Sequence, residues 1–286
     1  MSALAVAIAV SLPAAGTASA RAPVTVAYGS GKVGSGSGRL LLDLYQPSRR
    51  AKHPRPVVVL VHGGGFKNGT RKDANIARIA QALAARGVVA ASIDYRLLAA
   101  QPVPSRRVAK LLPALPSVPI GKAMAAGVDD TLTAIDYLRA HARKLNIDPN
   151  RVGLVGSSAG AITVDTVGYA LDDHGIEPPK GIRFVGSLWG GILANAPAGE
   201  GPQSAGQLER GEPALFAVHG DADPVVPVVL DDQLAARAKK LHVREEYHRI
   251  PGGKHGFGGT GFFTRNVAGT QTSFDRLLAF AKKRLR

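Results

Sequence analysis

An α/β fold organised around a mostly parallel sheet is what this 286-residue sequence predicts, and three observations carry it. Short runs rich in Val, Ile, Leu and Ala, the pattern of strands buried on both faces, recur at Val57 to Val61, Val88 to Ile93, Ile182 to Leu188 and Ala214 to Val218. Apolar residues at helical spacing lie between them, and strand, helix, strand in that order predicts right-handed crossovers and parallel pairing. The residues that could carry chemistry stand just after those runs, at the strand ends where loops of an open parallel sheet converge on a ligand. A chain of this length can bury one substantial core as a single large domain.

Val24 to Tyr28 and Arg39 to Tyr45 read as two short strands joined by a flexible hairpin, GSGKVGSGSG. Gln46 to Pro56 is polar and proline-punctuated, a surface loop before the first buried strand. A helix from Asp73 presents Ile76, Ile79, Ala80 and Leu83 on one face and closes at Gly87. After the strand Val88 to Ile93, Leu97 to Gly121 breaks the rhythm with five prolines. A connection so long inside a compact domain is either a lid or wall over a site or a surface excursion. Val128, Leu132, Ile135, Leu138 and Ala142 then mark a helix that leads into the central strand and the stretch RVGLVGSSAGA, Arg151 to Ala161. Beyond it come a helix to about Asp173, the strand Ile182 to Leu188, a loop from Ala194 to Gly206, and the strand Ala214 to Val218. A helix near Pro227 to Lys240, a strand near Val243 to Ile250 and a glycine-dense loop precede the closing helix. Its apolar face is Phe274, Leu277, Leu278, Ala281 and Leu285, and its last turn carries cations where the helix dipole favours them.

Residues 1–20 carry no charge, form an apolar run broken at Pro13 and end in Ala18, Ser19, Ala20. That pattern reads as a secretory leader with a mature chain from about Arg21, hence a secreted or periplasmic protein; its apolar part is too short for an ordinary membrane span. The absence of cysteine excludes disulfides, thiol catalysis and thiolate metal sites. Lys and Arg number 36 against 21 Asp and Glu, a formal charge of +15 that attracts acidic polymers or simply keeps the protein soluble. The cations are scattered and no zinc-finger or RNP pattern is present, so nucleic acid is not the expected partner. None of the eight histidines forms a metal-ligand pair at convincing spacing.

The spacing Gly156, Ser158, Gly160 puts a serine on a sharp strand-to-helix turn, its hydroxyl lifted to the top of the sheet and a helix N-terminus behind it. A serine hydroxyl needs a base, a carboxylate to orient that base, and donors for an oxyanion. His255 alone follows the last strand inside a flexible loop that lets an imidazole reach across the sheet top. Asp221 and Asp223 compete for the carboxylate role after the strand Ala214 to Val218. Asp223 is favoured because it lies deeper in the loop, before Pro224 and Pro227, with Asp221 left to fix the turn through backbone N–H groups. His219 reads as structural. For the oxyanion, the glycines of His62 to Phe66 let backbone N–H groups approach a developing charge; Gly64 and Gly65 are the expected donors with the amide of Ala159, His62 bracing the loop from behind. Phe66 and Trp189, at the ends of neighbouring strands, either line the substrate pocket or pack in the core.

HGGGF at 62–66, DYRL at 94–97, GSSAG at 156–160, HGDADPVVP at 219–227 and KHGF at 254–257 together resemble the α/β-hydrolase superfamily, most closely its hormone-sensitive-lipase-like carboxylesterases and related polysaccharide-deacetylating or feruloyl esterases. The likeness runs from about Leu41 to the C-terminus. It implies an eight-stranded, mostly parallel sheet with helices on both faces, no metal or organic cofactor, and ester hydrolysis through an acyl-enzyme. The same three residues would serve an amidase, peptidase or formamidase, and a binding module on a hydrolase scaffold is a third reading. Two departures from the family pattern bear on the substrate: the proline-rich segment 97–121, and the lack of an N-terminal helical cap.

Overall fold

The computed structural model describes residues 21–49, 51–116, 119–192 and 208–286. The leader read at 1–20 and the loop from Ala194 to Gly206 lie outside the described residues. Eight strands form one sheet: β1 (Val24–Val33), β2 (Gly36–Tyr45), β3 (Arg55–Val61), β4 (Val89–Ile93), β5 (Ile147–Ser157), β6 (Ile182–Leu188), β7 (Ala214–Gly220) and β8 (Glu245–Ile250). Their spatial order is β1-β2-β4-β3-β5-β6-β7-β8. β1 and β2 pair antiparallel, as do β2 and β4, and every pairing from β4 to β8 is parallel.

The helices are α1 (Ala74–Ala85), α2 (Ile120–Ala140), α3 (Ala142–Leu145), α4 (Ala159–Tyr169), α5 (Val229–Lys240), α6 (Gly261–Thr264) and α7 (Ser273–Arg284), with a small ladder of β9 (Asn266–Ala268) and β10 (Gln271–Thr272) between the last two. The period of two in a strand divides the core between the sheet's faces. Val57, Val59 and Val61 of β3 face one cluster, with residues of α2, α4 and α5; Val58 and Leu60 face the other, with residues of α1 and α7. The expected alternation and both-faces helix layers are therefore present.

Two departures from the sequence reading have simple causes. The glycine-rich segment expected as a flexible connection is itself strand: Gly29 to Val33 pair with Leu40 to Gly36, with a bulge between Ala27 and Gly29, so only a tight turn at Gly34 and Ser35 remains. Glycine has low strand propensity, but cross-strand pairing overrides it. The described residues of 97–121 carry two short 3-10 segments, Leu98–Ala100 and Ala109–Ala114, and Arg96 is one of the residues that tie them down. Arg96, buried, reaches the carbonyls of Lys32 (3.1 Å) and Val103 (2.9 Å) while its guanidinium pairs with Asp129 (2.8 Å) and Asp130 (2.7 Å) on α2. Ser105 bonds Asp129 from the same excursion. No helix among the described residues is long and apolar enough to cross a membrane.

Candidate active site at the C-terminal edge of the sheet

β5 ends on Ser157, and Ser158 turns the chain into α4 with φ 54° and ψ −121°, a conformation that L-residues rarely adopt. The turn needs glycine on both sides. A β-carbon on Gly156 would collide with the backbone of Gly160, and one on Gly160 with the carbonyls of Val61 and His62. Ala159 is the first residue of α4, so its N–H has no acceptor within the helix.

The three distant segments meet. His255 Nε2 lies 2.8 Å from Ser158 Oγ, and its Nδ1 lies 2.7 Å from Asp223 Oδ2. The other Asp223 oxygen accepts from the N–H groups of Val225 (2.7 Å) and Val226 (3.0 Å). Burial alone would push the Asp223 carboxyl up; those two N–H groups and the His255 ring outweigh it and hold the carboxyl below its ordinary range. The loops bearing Asp223 and His255 can touch because Gly220 and Gly253 approach backbone to backbone, with no space for a side chain at Gly220. Asp221 sits apart from His255 in this network and accepts from the N–H of Gly252 at 2.6 Å, which fixes the same pair of loops.

Behind the glycine loop, the Asp-Tyr-Arg segment after β4 shows why each residue type stands there. Asp94 accepts from the Arg71 N–H (2.7 Å) and guanidinium (2.5 Å), and Arg71 also holds Asp43 at 2.9 Å. Tyr95 stacks on the His62 ring at 4.4 Å and donates to the His62 carbonyl at 3.2 Å. Arg96 secures α2 as described. His62 Nδ1 in turn donates to the Gly63 carbonyl at 2.7 Å, the bracing role expected of it, and burial pulls its proton affinity down. With Nδ1 carrying the proton, the buried Nε2 is left as a bare acceptor.

A cavity of about 430 Å³ opens at Ser158 and His255, lined also by Gly63, Gly64, Gly65, Ile76, Ile79, Leu188, Trp189 and Phe262. Trp189 thus reaches the cavity, set at φ 47° and edge-on to Phe257 and Phe262. Phe66 does not: it is buried in the core, edge-on to Tyr95, so of the two readings for Phe66 the packing one is met. Ile76 and Ile79 were legible as an apolar helix face, but nothing in their spacing tells core from cavity wall. Asp73 and Asn75, at the start of α1, add a polar edge that the sequence did not single out. The described residues of the 97–121 excursion do not line this cavity. A larger depression, about 760 Å³, is bordered by Arg107, Arg139, Asn150 and Lys180. It lies at the starts of β5 and β6, the end of the sheet away from the converging loops.

Sheet order, elbow and hydrogen-bonded Ser-His-Asp chain are those of an α/β-hydrolase. Residues 42–108 and 121–183 of the chain match the model of the BD-FAE family. Esterase LipC of Mycobacterium tuberculosis is 24% identical over 251 residues, which is 76% of this chain and 57% of that protein. Fumonisin B1 esterase of Sphingopyxis macrogoltabida is 32% identical over 137 residues, 46% of this chain and 23% of that one. The chain thus spans less than two thirds of the length of these relatives. Thermogutta terrifontis esterase 2, in a structure phosphorylated by paraoxon, shares the fold with a TM-score of 0.66 at 22% identity, over 92% of each chain.

Proposed function

We propose that this protein is an exported serine hydrolase of carboxylic esters that works through an acyl-enzyme on small or polymer-attached substrates. The observation that carries the proposal is the single hydrogen-bonded line from Ser158 Oγ through His255 to Asp223, at 2.8 and 2.7 Å, at the mouth of an apolar cavity. In this reading Ser158 Oγ attacks the ester carbonyl as His255 Nε2 takes its proton, and a tetrahedral intermediate forms with its negative oxygen facing the N–H groups of Ala159, Gly64 and Gly65. Collapse returns the proton to the leaving alkoxide and leaves an acyl group on Ser158. Water, deprotonated by the same imidazole, then releases the acid. Asp223 keeps the proton of neutral His255 on Nδ1, so that Nε2 faces the serine as acceptor, and it stabilises the imidazolium that forms.

Trp189, Leu188, Ile76, Ile79 and Phe262 make one side of the cavity apolar, which favours a hydrocarbon or aromatic portion of the ester. Esterase LipC and fumonisin B1 esterase support ester over amide chemistry by their names. The charge of +15 supports an acidic polymer as the substrate's carrier. Export rests on the leader pattern at residues 1–20.

The test is hydrolysis of short p-nitrophenyl esters beside matched anilides. Ser158→Ala is expected to lower ester turnover by about five to six orders of magnitude with the circular dichroism unchanged; retained turnover ends the proposal, and equal rates on anilides would move it to amide chemistry. Weaker activity on an acidic polymeric ester as salt rises is expected if the surface charge gathers substrate.

A further inference from the structure

His219, at the end of β7, has no exposed side-chain surface, and both of its ring nitrogens face acceptors. Nδ1 is 2.7 Å from Asp231 Oδ2 on α5. Nε2 is 3.0 Å from the Val226 carbonyl and 3.3 Å from Asp223 Oδ2, the same oxygen that receives His255. A neutral imidazole carries one proton and would leave a bare nitrogen lone pair against an acceptor oxygen. A ring with two protons satisfies both contacts. The order of donors continues backward from it: Asp231 Oδ1 accepts from Ser187 Oγ at 3.2 Å, and Ser187 Oγ lies 2.8 Å from Asp165 Oδ2 on α4. Ser187 has a single proton for two carboxyls, so one of the two is itself an acid. Asp165, wholly buried, is that one: burial first and Asp231 second push its carboxyl well above the ordinary range.

Resting on the Ser158, His255 and Asp223 reading, we propose that His219 is a positioning residue which, as an imidazolium between Asp231 and Asp223, keeps Asp223 ionised and in register beneath His255 and so extends activity to lower pH. Two imidazoles share Asp223 Oδ2, His219 from beneath and His255 from the side of Ser158. The cation beneath the carboxylate makes protonation of Asp223 less favourable, so Asp223 keeps its charge further into acid. Burial works against a charged His219, while the hydrogen bond and charge of Asp231, the Val226 carbonyl and the charge of Asp223 outweigh it. The ionisable groups around it are Asp231 on α5, Asp223 on the following loop, Asp165 on α4 through Ser187, and His255 across Asp223; Tyr247 on β8 donates to Asp232, beside Asp231.

His219→Gln keeps an amide donor for the Val226 carbonyl and removes the charge. The expected result is that the acid limb of the kcat/KM profile moves to higher pH by about one unit, with Ser158 still labelled by a fluorophosphonate at the plateau. Asp231→Asn, which removes the partner that retains the second proton, is expected to move the limb the same way. A uniform loss of kcat/KM with the limb unmoved in both variants overturns the electrostatic role. Should neither variant fold, ring nitrogen NMR of the wild-type protein decides: His219 is expected to show two protonated nitrogens at pH 7 to 8, and one bare nitrogen refutes the proposal. That signature does not depend on turnover. Failure of wild-type Ser158 to label, with the His219 signature intact, would defeat the hydrolase reading while leaving the buried cation standing.

Discussion

Gly160 lies so close beneath the Val61 carbonyl that a β-carbon there would drive into the oxygen. The first turn of α4 is thereby pressed onto the end of β3, which brings Ala159 and the glycine loop to the same side of Ser158. Gly160→Ala must push β3 and α4 apart and is expected to cost about 3 kcal/mol or more of stability. Gly269→Ala is the contrast: φ is 57° but open space surrounds the site, so only the backbone penalty of about 1 kcal/mol applies. Urea denaturation of the two variants compares them; equal midpoints would show that the close approach is not a constraint.

Asp223→Asn retains the shape of the loop but removes the charge opposite His255. A drop in kcat of about 10⁴ with KM nearly unchanged is expected, because the substituted amide can leave the proton on the wrong ring nitrogen. Asp221→Asn is expected to leave kcat within about threefold, since Asp221 only accepts from the N–H of Gly252. Steady-state kinetics with one ester on both variants gives the comparison, and a larger effect at Asp221 would reverse the assignment of the carboxylate.

Among the described residues, Arg96 is the cation set between the buried carboxylates of Asp129 and Asp130. Arg96→Met leaves both acids without it and also frees the Lys32 and Val103 carbonyls, so a loss of about 3 to 5 kcal/mol is expected. Adding Asp130→Asn to Arg96→Met should recover part of that loss. Thermal unfolding of the single and double variants measures the recovery; strict additivity would mean that the pair does not interact.

Stability should peak in mildly acidic solution. Asp148, Asp223, Glu246 and Asp275 are all held below the ordinary carboxylate range. Depressed values in the fold mean that the unfolded chain binds protons first, so their contribution is present above about pH 4 and fades as pH falls through the folded values. Asp130, Asp165 and His219 are among the groups that act in the opposite sense. Burial pushes Asp130 up to about 6 despite Arg96 and holds Asp165 well above the carboxylate range, and His219 is raised because Asp231, Val226 and Asp223 outweigh the pull of burial. For these the folded state holds its protons more tightly than the unfolded one. The two acids cost stability as pH climbs above about 4, and the benefit from His219, complete below about 6.5, is lost as pH rises through its folded value. The melting temperature is therefore expected to be highest between about pH 4 and 6; a monotonic rise from pH 4 to 9 would contradict these assignments.

Much of this was legible before any fold was known, for reasons that differ between elements. Buried parallel strands must be apolar on both faces, so β3, β4, β6 and β7 announce themselves by composition. The residues bearing chemistry follow such runs directly, which made Ser158, Asp223 and His255 readable as a set, and their order along the chain is that of the hydrolases it resembles. Glycine-rich β1 and β2 were shortened in the reading because their strand character comes from each other rather than from their side chains. Phe66 was ambiguous for a similar reason: a residue at a strand end with φ 61° can turn either way, and only its contact with Tyr95 sends it inward.

By itself the sequence determined the alternation of strand and helix, the glycines that permit the elbow at Ser158, and the residue types able to carry acyl transfer. All of these are local, fixed by propensity, sterics and chemical capacity within a few residues. Only the tertiary structure decided which neighbours share a charge or a proton. His219 could be placed at a strand end from the sequence, but its position between Asp231 and Asp223 requires β7, α5 and the loop between them to fold together. Electrostatic energies depend on separation and burial, and neither can be computed from distance along a chain.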